Sequence, residues 1–172
     1  MNNIWWFSSL LACSETKTDT GSIQPWSAAP LSEISGTCPT IDNSRELKTF
    51  TSNGTERSVQ FVLPTDSTAD IQPVFFFHGL MPEGSNPTNQ LITGLSLQSV
   101  ADEYNIAFIL PVSEIWELFG QRFHLWKIEQ GTEDNDLVVF DDLRTCLAEH
   151  FDVYNSDALN MDSLSTLGFS GG

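Results

Sequence analysis

Basic residues are scarce in this chain: 7 Lys and Arg stand against 23 Asp and Glu, a formal net charge of -16 at pH 7. So acidic a surface repels phosphate backbones and anionic headgroups, which argues against nucleic acid as a partner. Histidine is sparse too. His78, His124 and His150 are scattered, and the one tight acidic cluster, Glu133-Asp134-Asn135-Asp136, has no His or Cys beside it. That cluster reads as a solvated loop and helix start, so no metal site is indicated, and no cofactor either. No internal repeat is visible. The apolar run at the N-terminus, from Ile4 to Ala12, is too short to span a bilayer.

What is present suffices for a globular domain. Of 172 residues, 40% are hydrophobic and 12 are Phe, enough for one domain with a sizeable core. The run Ile4–Ala12 has the length of a signal-peptide core, and it ends in Leu10-Leu11-Ala12-Cys13, which resembles the lipobox of bacterial lipoproteins. That resemblance implies lipidation at Cys13, export, and membrane attachment only through the lipid. Met1-Asn2-Asn3 carries no Lys or Arg ahead of the apolar core, so the true start lies upstream or the signal is weak. The reading divides the chain into a signal peptide (1–13), a flexible tether (14–44) whose first half is rich in Ser, Thr, Asp and Gly, and a folded domain (45–172). Cys38 and Cys146 remain. An oxidising compartment permits them to pair, and the alternative is two free thiols with Cys146 packed on a helix face.

The folded part reads as α/β. Leu47–Thr51 and Arg57–Leu63 are β-prone runs joined by Ser52-Asn53-Gly54-Thr55, and Asn-Gly is the strongest short hairpin signal. Pro73–Phe77 is a continuous apolar run, as a strand buried on both faces requires. Residues 89–104 place Leu97, Val100, Ala101 and Tyr104 at helical spacing. Ile106–Leu110 reads as another buried strand, closed by Pro111. Asn135 and Asp136 can cap a helix whose inward face is Phe140, Leu143, Leu147 and Phe151, and Ser163–Leu167 reads as a short strand. Strands alternating with helices imply a parallel sheet after the opening antiparallel hairpin. Residues 112–133 fit no regular element. Their aromatic side chains (Trp116, Phe119, Phe123, Trp126) either line a cleft or pack over the sheet end.

The chemistry sits at the end. Gly168-Phe169-Ser170-Gly171-Gly172 has the pattern Gly-x-Ser-x-Gly. Such a turn from strand to helix projects the Ser hydroxyl above the sheet, and the glycines let strand and helix approach closely. By chance the pattern arises in about 5% of chains this long, so its place after a predicted buried strand is what gives it weight. His78-Gly79-Leu80 ends an earlier strand. Acyl transfer places negative charge on the carbonyl oxygen, and two backbone N–H donors that stabilise it come from the residue after the nucleophile and from such a loop. These would be Gly171 and Leu80, with His78 shaping the loop. None of the three His fits a chain order of Ser, then acid, then His, because all precede Ser170.

The run from Val74 to His78-Gly79 resembles the polyhydroxybutyrate depolymerase-like esterases, a group of α/β hydrolases that includes feruloyl and acetylxylan esterases. So do Val100-Ala101-Asp102-Glu103-Tyr104 ahead of the Ile106–Pro111 strand, and Asn135-Asp136 with Phe140-Asp141-Asp142 before Gly168-Phe169-Ser170. The likeness runs from about Thr49 to Gly172 and matches the N-terminal half of such enzymes. It implies a secreted or cell-envelope serine esterase acting on a small or polymeric ester, with Ser170 as nucleophile and Leu80 and Gly171 as oxyanion donors. The family's Asp and His lie further along, beyond this chain, so the 172 residues alone are expected to be inactive. Two other readings stay open: a non-catalytic surface lipoprotein that keeps half of a hydrolase fold, and a serine peptidase of the same fold. The oligomeric state is not legible.

Overall fold

The computed structural model describes residues 30–66, 71–126, 135–155 and 164–169, with only the backbone for 151–155. Cys13, most of the tether, Glu133, Asp134, and Ser170, Gly171 and Gly172 lie outside the described residues.

The hairpin forms where the sequence placed it. Strands β1 (Lys48–Ser52) and β2 (Thr55–Val62) pair antiparallel, with Ser52 opposite Thr55. Only Asn53 and Gly54 lie in the turn, both left-handed, at φ 47° and 72°. A two-residue turn with two positive φ values matches the twist of the strands it joins, and Asn and Gly tolerate it best.

β3 (Gln72–Phe77) and β5 (Ile106–Val112) are parallel, and β8 (Ser165–Gly168) runs parallel to β3 on its other side. The five-stranded sheet has the order β1-β2-β5-β3-β8, with β2 antiparallel to β5. Period-2 alternation sorts its side chains into two cores. Val59, Phe61, Phe75 and Ile109 face Val139, Leu143 and Leu147 of α3 (Asn135–Asn155). Val62, Val74, Phe76, Phe108 and Leu110 face Leu91, Ile92, Leu97 and Ala101 on the two helices of the opposite layer. Helices therefore cover both faces of the sheet. Each fully buried Phe or Ile side chain contributes about 1.5–3 kcal/mol. An opening antiparallel hairpin followed by parallel strands with helical crossovers is the N-terminal half of the α/β-hydrolase architecture, as the sequence implied.

Several expectations are corrected. The single helix over 89–104 is two: α1 (Pro87–Gly94) and α2 (Leu97–Tyr104). Asn86 caps α1 through its side chain, and the chain breaks at Ser96, whose φ of 51° is left-handed and cannot continue a helix. Leu97 and Ala101 are buried, but Tyr104 points outward at 61% exposure. Pro111 does not end its strand. It lies opposite Val59 within β5, beyond Ile109, where the register with β3 stops, so that neighbour does not require the N–H that Pro lacks. The stretch read as irregular contains a hairpin, β6 (Ile115–Leu118) with β7 (Gln121–His124), turned at Phe119 and Gly120. With β4 (Met81–Pro82) it forms a second, three-stranded sheet.

The tether also ends earlier than expected. Residues 30–44 are fastened to the domain: Ile41 is in the core, Thr37 N–H donates to the Thr51 carbonyl oxygen at 2.8 Å, and Cys38 is disulfide-bonded to Cys146 on α3. Gly36 passes so close to β1 that a β-carbon there would lie 1.9 Å from the Thr51 oxygen. Ser35 Oγ donates to the buried Asp142 carboxylate at 2.5 Å, and Ser52 Oγ does so at 2.6 Å. A polar composition does not by itself make a mobile segment. Here a few side chains anchor it.

Candidate active site

In a parallel sheet, the loops beyond the C-terminal strand ends are where functional groups converge. β3 and β8 are neighbours in register, with Phe77 beside Gly168, and one further bond continues the ladder: Phe169 N–H donates to the Phe77 carbonyl oxygen at 3.1 Å. The two segments singled out in the sequence, His78-Gly79-Leu80 and Gly168-Phe169, thus leave the sheet side by side. Ser170 is next in the chain.

The first loop is held from three directions. Ser113 N–H donates to His78 Nε2 at 3.1 Å, so that nitrogen is an acceptor and the ring proton resides on Nδ1. Nδ1–H then donates to the Gly79 carbonyl oxygen at 2.7 Å. Trp126 Nε1–H donates to the His78 carbonyl oxygen at 2.8 Å, while its ring packs against those of His78 and Phe77. On the far side, Met81 and Pro82 pair with His124 and Phe123 of β7. Two successive carbonyls are fixed, and the second belongs to the peptide that also carries the Leu80 N–H. That peptide is planar and trans, so fixing its oxygen fixes the direction of its N–H.

His78 is 1% exposed. Burial pushes its pKa down to about 4, ahead of the opposing effect of the Gly79 bond; His124 lowers it further and Asp136 raises it. A neutral imidazole is what this network needs, since a proton on Nε2 would remove the acceptor of the Ser113 N–H. His78 has both nitrogens engaged in shaping the loop.

Behind the loop lies a buried ion cluster that sequence reading missed. The Arg57 guanidinium donates to Glu114 at 2.9 Å and to Asp136 at 2.5 Å, with the Arg57 side chain 2% exposed. It ties β2 to the residue after Ser113 and to the first turn of α3. Asp136, expected as a helix cap, instead sits inside α3 as an ion-pair partner. No sequence signal marked Arg57, because a lone Arg on a strand is usually exposed. Trp126 was expected, with the other loop aromatics, either to line a cleft or to pack over the sheet end, and it packs against Phe77 and His78 at that end while lining the cavity beside Phe140. Phe119, by contrast, is 96% exposed at a hairpin tip.

Among the residues singled out from the sequence, His78, Gly79, Leu80 and Gly168 come together at the ends of β3 and β8. Ser170, Gly171 and Gly172 continue from that point, outside the described residues.

No family model matches the chain, and no curated protein does. Among solved structures, it is similar to an α/β serine hydrolase without lid from Xanthomonas campestris, at 21% identity and a TM-score of 0.43, covering 78% of this chain and 55% of that one. It is also similar to acetyl xylan esterase 1 from Thermoanaerobacterium, at 12% identity and a TM-score of 0.32, covering 79% of this chain and 44% of that one. The chain spans about half the length of either structure.

Proposed function

We propose that this chain is the nucleophile-bearing half of a serine carboxylic-ester hydrolase, with Ser170 as nucleophile and the N–H groups of Leu80 and Gly171 as oxyanion donors. One observation supports the reading: the Phe169–Phe77 bond sets Gly168 and Phe169, the first two residues of the Gly-x-Ser-x-Gly motif, beside the loop whose Gly79–Leu80 peptide is already oriented. Preorganised donors of this kind are worth about 2.7–4 kcal/mol each in the transition state.

The chemistry follows in two steps. The Ser170 oxygen bonds to the ester carbonyl carbon while its proton passes to a histidine base outside these 172 residues, and the carbonyl electron pair moves onto oxygen. That pair returns as the bond to the alcohol breaks, and the alcohol leaves with the proton. Water then attacks the acyl-enzyme by the same route, giving the free acid and restoring Ser170. An acidic chain with a lipidated Cys13 suits an exported enzyme that meets neutral polyesters or acylated polysaccharides at the cell surface. The test is labelling of the protein that carries this chain with a fluorophosphonate, followed by peptide mass mapping. The adduct is expected on Ser170 and absent in Ser170→Ala; an adduct on another residue, or none, rejects the assignment.

A further inference from the structure

The loop that presents Leu80 also floors a cleft. Between it and α1 lies a cavity of about 250 Å3, bounded by His78, Gly79, Leu91, Gly94, Leu95 and Phe169. We propose that this cleft is the acyl pocket of the enzyme, taking a short, uncharged aliphatic acyl group. The proposal rests on the esterase reading and adds a substrate class to it.

Position argues for the acyl side. Phe169, which forms one wall, is the residue immediately before the nucleophile. The acyl group stays bonded to Ser170 through the second half of the reaction, whereas the alcohol leaves after the first. A pocket one residue from the nucleophile and bordered by the oxyanion loop is where the retained group must lie. Size argues for a short chain, because pockets for larger ligands occupy about 300–1,000 Å3. The walls argue for an uncharged group: no Asp, Glu, Lys or Arg lines the cleft, and His78 holds its single proton on the Gly79 carbonyl. The other apolar cavity nearby, about 290 Å3 among Phe77, Trp126, Phe140 and Leu167, is lined from the α3 face of the sheet and does not border Gly79.

Two positions test the assignment in opposite directions. Gly94 closes α1 on the cleft, and a β-carbon there meets nothing within 4 Å, so a side chain can start from it without a clash at the backbone. Leu95 is 48% exposed, and its truncation removes a wall and not a core residue. The experiment compares kcat/KM of the full-length protein on p-nitrophenyl acetate, butyrate and octanoate. Gly94→Trp is expected to lower the butyrate-to-acetate ratio by about tenfold or more, the scale on which apolar pockets discriminate methylenes. Leu95→Ala is expected to raise the octanoate-to-acetate ratio by about the same factor. If neither ratio moves, or if the variants shift an alcohol series of acetates instead, the acyl assignment is overturned while the esterase reading stands. If the unsubstituted protein cleaves none of these esters, both fall together.

Discussion

The backbone N–H of Phe169 donates to the carbonyl oxygen of Phe77 at 3.1 Å, so the last described residue before Ser170 is bonded to the last residue before His78. Two segments some ninety positions apart in sequence, His78-Gly79 and Gly168-Phe169, leave the sheet side by side through the register of two parallel strands. The first predictions concern the loop that begins at His78.

His78→Leu removes the donor that fixes the Gly79 carbonyl. If the Leu80 N–H is an oxyanion donor aimed by that bond, kcat falls by about 10²-fold with KM little changed, as for loss of such a donor. Steady-state kinetics on a p-nitrophenyl ester checks this. A drop confined to KM would mean that the loop binds substrate and does not stabilise the transition state.

His78 also links stability to pH. Its pKa is about 4 in the folded chain against an ordinary 6.5, so between those values the unfolded chain takes up a proton that the folded chain refuses. Stability is full above pH 6.5, falls as the pH drops toward 4, and loses no more through this group below that. The loss across the window is about 3 kcal/mol. Urea midpoints of the unsubstituted protein and His78→Asn, taken from pH 7 to pH 4, should converge on acidification. Parallel curves would show that the imidazole is not held neutral.

Arg57→Ala leaves the nearly buried carboxylate of Asp136 without its cation. Breaking such a pair from one side costs about 3–5 kcal/mol, and Arg57→Lys should recover only part of it, because an ammonium cannot span both Glu114 and Asp136. Chemical denaturation measures both variants. A loss below about 1 kcal/mol for Arg57→Ala would place the pair in the class of weak surface bridges.

The Cys38–Cys146 bridge closes a loop across a sequence separation of 108. In the chain-entropy account, a loop of that length contributes about 4–5 kcal/mol. Non-reducing peptide mapping should recover the linked pair, and the double replacement by Ser should lower the denaturation midpoint accordingly. Free thiols at both positions would contradict the pairing.

The sequence announced those parts of the fold that rest on local chemistry. Asn53-Gly54 specified its turn, Pro73–Phe77 specified a doubly buried strand, and Leu143 with Leu147 specified the inner face of α3. It was silent where tertiary contacts overrode local preference. Phe119 gave no hint of a hairpin tip because a large aromatic at positive φ is unfavourable, and Gly120 alone is ambiguous. Pro111 looked like a strand end because its permissive place, past the register with β3, exists only once the sheet is assembled. Residues 30–44 looked like linker because Ile41 and Cys38 are single anchors in a polar stretch. At the site, Gly79 and Leu80 were legible from strand-end position, but Trp126, Ser113 and Arg57 act across 35 to 80 positions, with no periodicity to reveal them.

Turnover of p-nitrophenyl butyrate by the full-length protein and its Ser170→Ala variant tests ester hydrolysis through Ser170. Clear turnover by the first and a loss on the order of 10⁶-fold in the second are expected. Equal rates in the two would remove Ser170 from the chemistry.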